Sequence, residues 1–239
     1  MKKFTHYVLF SIIFLLLTNL SFSQTTILST DFETSLPAGW SQTTLADDGG
    51  WLFGINTDVQ STSFPIPSHT KFTATNDDAC NCDKSQDFLT TSAMDFTGYS
   101  NIFLSFDSYF FRAYYDSQEE TYVKVSTDGG NSWTIVYTLP GAGAWNTVYV
   151  NLTAYAGQTN VKVALHYDDG GGWAYGSAVD NFNVYSPVPG ADISVTSVLV
   201  GKIDPTPTFV GYSTYIVDAP LNVSCAISNA GTETITSFD

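Results

Sequence analysis

Beyond Gln24 the chain holds no long run with apolar residues at helical spacing; where its pattern is regular, the period is two. Val123 and Val125, Ile135 and Tyr137, then Val161, Val163 and Leu165 alternate with other residues, and glycine, asparagine, aspartate and serine punctuate the runs. A period of two sends successive side chains to opposite faces of a strand, so each run carries one apolar and one wet face. Such strands bury their apolar faces as antiparallel sheets packed into a sandwich. The expected strands are residues 27–33, 51–55, 71–75, 87–91, 102–110, 122–126, 133–138, 145–151, 161–167 and 178–185. Ser186-Pro187-Val188-Pro189-Gly190 interrupts the pattern, because two prolines and a glycine cannot continue a central strand. The reading is a domain over 24–186, a linker at 187–190 and a second domain from 191. There Asp192-Ile193-Ser194-Val195 opens a strand, and 221–228 followed by Asn229-Ala230-Gly231 reads as a strand and turn. An immunoglobulin-type sandwich takes about 100 residues, so 191–239 is expected to be an incomplete Ig-like domain.

Charge removes several classes of partner. The chain has 8 Lys+Arg against 23 Asp+Glu, a net charge of −15, and its single arginine is Arg112. Nucleic acid requires a cationic stripe that displaces counterions, and anionic membrane surfaces repel such a chain. With only His6, His69 and His166, a multi-histidine metal site is excluded. Residues 1–23 have a basic start at Lys2 and Lys3, an apolar stretch over 7–17 and small residues at Ser21 and Ser23. That layout is a secretory signal peptide cut near Ser23/Gln24, and the apolar run is too short for a bilayer span. The expected location is therefore outside the cell or on its surface, with no transmembrane anchor in the mature chain. Oligomeric state leaves no mark in the sequence.

The cysteines do not make a disulfide scaffold. Cys80 and Cys82 lie two apart and Cys225 far downstream. A small loop bridge and free thiols both remain open, whereas half of a zinc set lacks its second half.

Several constellations carry chemistry. Ser126-Thr127-Asp128-Gly129-Gly130-Asn131-Ser132-Trp133 fits the Asp-box pattern, with Asp128 bonding turn backbone, Gly130 in a tight hairpin and Trp133 packed beneath. It occurs once, so a structural turn is expected rather than a propeller or a catalytic acid. Asp31 and Glu33 are two apart, hence on one face of a strand with Phe32 on the other, and Asp180 ends the same domain. Neighbouring first and last strands would gather these carboxylates, and calcium, which takes six to eight oxygen ligands, is the natural occupant. Separate solvated acids are the equal alternative. The loop Asn76–Asp83 is rich in oxygen-bearing side chains, so Asp77, Asp78 and Asp83 are candidates for a second metal or loop site, although a solvated polar loop is the commoner outcome. Trp173 and Tyr175, in the glycine-rich loop that begins at Asp168, and the pair Tyr114 and Tyr115 are candidates to stack on sugar rings. Filling the seam beneath the loops is the alternative for each.

A resemblance joins these pieces. Phe32-Glu33, Leu36-Pro37-Ala38-Gly39-Trp40 and Asp48-Gly49-Gly50-Trp51 are similar to the opening of the cleaved-adhesin, or MAM-like, jelly-roll domain of secreted Bacteroidetes proteins. The likeness continues through 87–96 and closes on Ala178-Val179-Asp180-Asn181-Phe182-Asn183-Val184. It departs at Thr91-Ser92, where the family has Thr-Pro, and in the insertion at 76–83. It implies an all-β chain, an antiparallel jelly-roll β-sandwich followed by the start of an Ig-like β-sandwich. It also implies structural Ca2+ held by Asp31, Glu33 and Asp180, with Asp87 a weaker carry-over.

No nucleophile elbow, zinc-protease helix or phosphate loop is present. Paired carboxylates are a glycosidase's tools, yet carboxylates filled by calcium are unavailable for acid–base work. The expectation is a non-catalytic, calcium-stabilised adhesion or recognition module binding an extracellular glycan or protein. The alternative is an accessory sandwich of a secreted hydrolase whose catalytic part lies outside this chain.

Overall fold

The structure is a computed structural model describing residues 24–111, 119–187, 193–202 and 221–229. Residues 1–23, where a signal segment is expected, the pair Tyr114 and Tyr115, and most of the expected linker and Ig-like part lie outside the described residues. In chain order the elements are β1 (Thr25–Thr30), β2 (Ser41–Thr43), β3 (Leu52–Gly54), the one-turn helix α1 (Asn56–Val59), β4 (Phe72–Asn76), the one-turn helix α2 (Asp77–Cys80) and β5 (Asp87–Thr90). They continue as β6 (Phe103–Phe110), β7 (Glu120–Ser126), β8 (Thr134–Thr138), β9 (Ala142–Asn151), β10 (Lys162–Asp168) and β11 (Gly176–Ser186). Thr25–Ser186 forms one compact unit. The other takes in Pro187–Asp239, where β12 (Ile193–Lys202) and β13 (Leu221–Asn229) pair antiparallel with a bulge between Val195 and Ser197. No helix among the described residues is long and apolar enough to cross a membrane.

The larger unit is the expected all-β sandwich. One sheet runs β3-β4-β11-β6-β9 with β1 added on β11, and the other runs β2-β5-β10-β7-β8. Between them the alternating residues meet: Leu104, Phe106, Val179 and Val184 from the first sheet against Leu89, Val123, Val163 and Leu165 from the second. Trp40 packs edge-on to both Phe32 (5.6 Å) and Phe182 (5.1 Å), closing one side of this core. Burying an aromatic side chain removes 150–250 Å² from water, and at ~25 cal/mol per Å² each such ring is a major stabilising element.

A second apolar layer explains why β4 shows no wet face. Val59, Phe64 and Ile66, from the segment before β4, pack on Phe72, Ala74, Tyr109 and Ala178 on the outer side of the first sheet. Two aromatic hydrogen bonds fasten the layer, Tyr109 Oη to Pro65 O (2.9 Å) and Trp145 Nε1 to Pro67 O (2.9 Å). Gly176 is needed here because a Cβ at that position would run into the Thr75 carbonyl oxygen and the Phe64 ring.

The strand edge at Asp31 differs from the alternation expected for it. β1 ends at Thr30, and Phe32 takes a left-handed φ of +51° while remaining buried. Phe32 therefore does face the core, but Asp31 and Glu33 do not lie on an extended strand, and the same-face argument fails at that residue. β11 has its own irregularity. It pairs with β4 along Gly176–Val179 and with β1 along Phe182–Ser186, and the exchange falls at Asp180–Asn181, where the register on β6 also shifts and Asn181 has φ +51°.

One buried cation organises the end of the sandwich where β5 begins. The fully buried Lys84 ammonium contacts Asp48 Oδ1 (2.9 Å) and the fully buried Asp87 Oδ2 (3.2 Å), with Gly50 O at 3.5 Å. Asp87 also accepts from Thr75 Oγ1 (2.6 Å) and from Thr44 Oγ1, and its main-chain carbonyl accepts the Trp51 indole N–H (3.1 Å). Removing one partner of such a pair strands the other charge away from water. Lys84→Met is expected to lower unfolding free energy by about 3–5 kcal/mol, measured by urea denaturation, and Lys84→Met with Asp87→Asn to recover part of that loss. A single variant as stable as the parent would contradict this role.

Candidate functional site

Antiparallel pairing of β4 with β11 sets Asn76 opposite Gly176, so the segment leaving β4 and the loop entering β11 lie side by side. The first of these is α2, capped by the Asn76 side chain accepting from Ala79 N (3.0 Å). It ends on Asn81 in a left-handed conformation, and Cys80 is bridged to Cys82. The second is the glycine-rich loop 168–175. Tyr175 O receives the backbone N–H groups of Asp77 (2.9 Å) and Asp78 (3.4 Å), joining the two segments.

Two buried carboxylates then fix the loop on either side of Trp173. Asp169 accepts from Gly171 N (2.8 Å) with one oxygen and from Lys84 N (2.8 Å) with the other. Asp77 Oδ2 accepts from Ala174 N (2.7 Å). Held at Gly171 and Ala174, the loop turns Trp173 outward, where 72% of it is exposed. Two clefts flank this ring. One, about 250 Å³, is lined by Asp77, Asn81, Asp83, Asp169 and Trp173 among others, and the other, about 270 Å³, by Ser63, Asp77, Asp78, Trp173 and Tyr175 among others. Neither lining includes a basic side chain. Tyr175 is half-buried and packs on Phe111 (ring centroids 5.5 Å apart), so it serves as both wall and seam.

Burial controls the acids beneath. Desolvation raises Asp77 to about 6, with the Ala174 N–H acting in the opposite sense and the Asp169 charge adding to the rise. Desolvation likewise raises Glu119 to about 7, against hydrogen bonds from Gly176 N (2.7 Å), Tyr167 Oη (2.9 Å) and Tyr175 N (3.2 Å) to its Oε1. Its buried Oε2 has no partner among the described residues. The exposed Asp83 is held low by the Ser85 hydroxyl and N–H.

The remaining sequence candidates occupy other places. Asp180 is fully buried at the β11 bulge, where it accepts from Asn181 N (2.7 Å), His69 Nδ1 (2.8 Å) and Thr70 Oγ1 (3.1 Å). Glu33 Oε1 accepts from Lys71 N (3.2 Å), so Glu33 and Asp180 grip the same stretch, 69–71. Asp31 lines a cleft of about 360 Å³ with Asn181 and Asn183, and the buried Asn183 Oδ1 has no hydrogen-bond partner among the described residues. Among the described residues the one group of three histidine, cysteine or acidic side chains with ligand atoms within 4.8 Å of one another is Asp48, Cys80 and Cys82. The disulfide takes both thiols of that group. Asp87 belongs to the Lys84 network rather than to the neighbourhood of Asp180. Asp128 closes its turn by accepting from Asn131 N (3.0 Å), Ser132 N (3.0 Å) and the hydroxyls of Ser126 (2.7 Å) and Ser132 (2.6 Å), which keep its carboxyl far below the usual range.

The structure brings Trp173, Tyr175, Asp77, Asp78 and Asp83, which the sequence offered as two separate groups, to one loop end. Sequence reasoning missed Asp169, Asn81, Lys84 and His69. A lysine between Asp83 and Asp87 in so acidic a chain was the available signal for the buried ion pair.

No family model matches the chain, and no curated protein does. Similar solved structures include the K1 cleaved adhesin domain of Lys-gingipain from Porphyromonas gingivalis W83, at 17% identity over 67% of this chain and 98% of that chain, TM-score 0.48. The K3 cleaved adhesin domain of the same protein is 15% identical over 69% and 100%, TM-score 0.48. The CBM22-1 xylan-binding domain of Paenibacillus barcinonensis Xyn10C is 12% identical over 70% and 98%, TM-score 0.45. The likeness to cleaved adhesin domains implied by the sequence motifs thus reappears among solved structures.

The raised carboxyls set a pH dependence. Asp77 and Glu119 bind protons more tightly folded than unfolded, so their contribution to stability is present below about pH 4 and is lost as pH rises through about 6 and about 7. Unfolding free energy is expected to fall between pH 4.5 and 7.5 with a component of on the order of 1 kcal/mol per pH unit. Glu119→Gln should flatten that slope and stabilise the protein at pH 8; an unchanged slope in urea titrations across this range would rule the assignment out.

Proposed function

We propose that the sandwich is a non-catalytic recognition module whose loop end binds a neutral saccharide on Trp173. The observation that carries this reading is a tryptophan that is 72% exposed on a loop whose backbone is held on both sides of it by hydrogen bonds to buried carboxylates. Leaving a tryptophan in water forgoes its burial, and fixing it beforehand lowers the ordering cost of binding. A pyranose ring stacks its C–H face on such a surface. Asp77, Asp78, Asp83 and Asn81 in the adjoining clefts offer acceptors for sugar hydroxyls, and their negative charge disfavours an acidic sugar there. Asp169 and the Ala174-bonded oxygen of Asp77 are committed to loop backbone, which supports recognition over acid–base catalysis. A glycan array of neutral oligosaccharides, followed by calorimetry, tests the reading. Trp173→Ala is expected to weaken binding about tenfold or more while leaving the melting temperature unchanged. A blank array, or equal affinity in the variant, overturns it.

Structural calcium is a second part of the proposal. Asp31, Glu33 and Asp180 would hold the ion, with the unpartnered Asn183 Oδ1 beside Asp31 as a further oxygen donor. A bound ion would supply positive charge to these carboxylates, whose ligand atoms would have to draw closer together around it. Its support is that orphaned acceptor, together with the common grip of Glu33 and Asp180 on 69–71. At calcium a hundredfold above Kd the native state gains about 2.7 kcal/mol, so chelation should lower Tm by roughly 5–10 °C. An unchanged Tm with no ion bound by mass spectrometry removes the calcium.

A further inference from the structure

The outer face of the second sheet carries two lysines, Lys124 and Lys162, with Asp168 and Glu120 paired in register at the end of the sheet away from Lys162. Val163, Leu165 and Tyr167 of β10 point into the core, so Lys162, Ala164 and His166 project outward. In register across the sheet, Thr43, Phe88, His166 and Tyr122 form one row, and Ser41, Thr90, Ala164 and Lys124 form the next. Phe88 stacks on His166 at 4.0 Å, and Tyr122 on His166 at 5.7 Å. The Lys124 ammonium lies 5.0 Å from the Phe88 ring centre and 5.4 Å from that of Tyr122. Ala164, small and between two hydroxyl-bearing or cationic neighbours, keeps the middle of this face low.

A cleft of about 290 Å³ opens there, lined among others by Ser41, Thr43, Phe88, Thr90, Trp133 and Lys162, with no carboxylate in its lining. Trp133 is half-exposed and forms one wall, 6.1 Å from Phe88 between ring centres. The Asp-box turn holds it in place. Gly130 lies at the rim of this cleft with φ +103°, a conformation that side-chain-bearing residues rarely adopt, and the space beside it borders Trp133 and Lys162. Among the described residues neither Lys124 nor Lys162 makes an ion pair. Two of the six basic residues that follow the first 23 therefore face one aromatic, hydroxyl-lined surface, on a chain whose net charge is −15.

We infer that this face is a second binding site, for an acidic saccharide of the uronate type, whose carboxylate pairs with Lys162 while its ring packs against Trp133 and Phe88. Charge complementarity selects the class. A cleft with an unpaired ammonium and no acid favours an anion, and the Ser41, Thr43 and Thr90 hydroxyls suit a polyol bearing one charge per ring. A polyanion with dense phosphates would meet the negative charge of the surrounding protein. The inference is independent of saccharide binding at Trp173, since the two surfaces share no residue.

The test is calorimetric titration of the full chain with an oligogalacturonate and with its methyl ester, which removes the charge and keeps the ring. The free acid should bind, weaken with added salt, and bind about tenfold better than the ester. Lys162→Gln should weaken the acid about tenfold and leave neutral-glycan binding unchanged, with Lys162→Arg retaining most of it. Trp173→Ala should leave oligogalacturonate affinity as it was. Absence of binding, equal affinity for acid and ester, an unaffected Lys162→Gln variant, or loss of binding in Trp173→Ala would each overturn the assignment. The ester comparison needs no variant to fold.

Discussion

The ammonium of Lys84 is the charge around which one end of this molecule is arranged. It sits out of water between Asp48 and Asp87, and the same residue's backbone N–H goes to Asp169. Through these contacts a loop before β3, the start of β5 and the loop entering β11 converge on one residue. Interior charges are costly unless paired and hydrogen-bonded, so the pairing selects one arrangement of three chain segments that have little apolar surface of their own to order them. The exposed Trp173 is a downstream product: its loop is held by Asp169, and Asp169 is held by Lys84.

The two candidate surfaces are thus built by different means. At the loop end, buried carboxylates serve as backbone acceptors and leave further acceptors facing the clefts, so the site is negative and organised by main-chain bonds. On the second sheet the register of β2, β5, β10 and β7 aligns rings and hydroxyls, and the cleft there is aromatic with Lys162 as the charged group in its lining. Of the few cations of this chain, Lys84 is buried, Lys124 stands over the Phe88 and Tyr122 rings, and Lys162 lines the cleft beside Trp133.

Much of the architecture was legible because period-two alternation is a direct image of a half-buried strand. All ten expected strands appear within a few residues of their predicted bounds. β2 was not legible, since Ser41–Thr43 carries no apolar signal and is a strand only because β5 offers its edge. The turn at Phe32 was hidden for a different reason: a left-handed phenylalanine defies local preference and is imposed by packing against Trp40 and Phe53. The merging of the Asp77 and Trp173 groups depends on the pairing of Asn76 with Gly176, a hundred positions apart, and no local pattern encodes it. Asp87 reads from the sequence as one more strand-edge acid, yet its identity as a counterion becomes visible only once Lys84 lies against it.

The place of β11 has a further consequence. It is the last strand of its domain in the sequence, yet it lies at the centre of the first sheet and offers partners to β1, β4 and β6. Until Gly176–Ser186 has emerged from synthesis, those three strands have no central partner, and the covering layer over Ala178 has no floor. The order of assembly therefore runs against the order of synthesis, and the most distant pairing, between the first strand and the last, must close before the sheet is complete. Such non-local closure is slow. It keeps the nascent chain extended for longer, and it makes the domain all-or-none: a chain stopped short of Gly176 is left with open strand edges rather than a smaller sandwich.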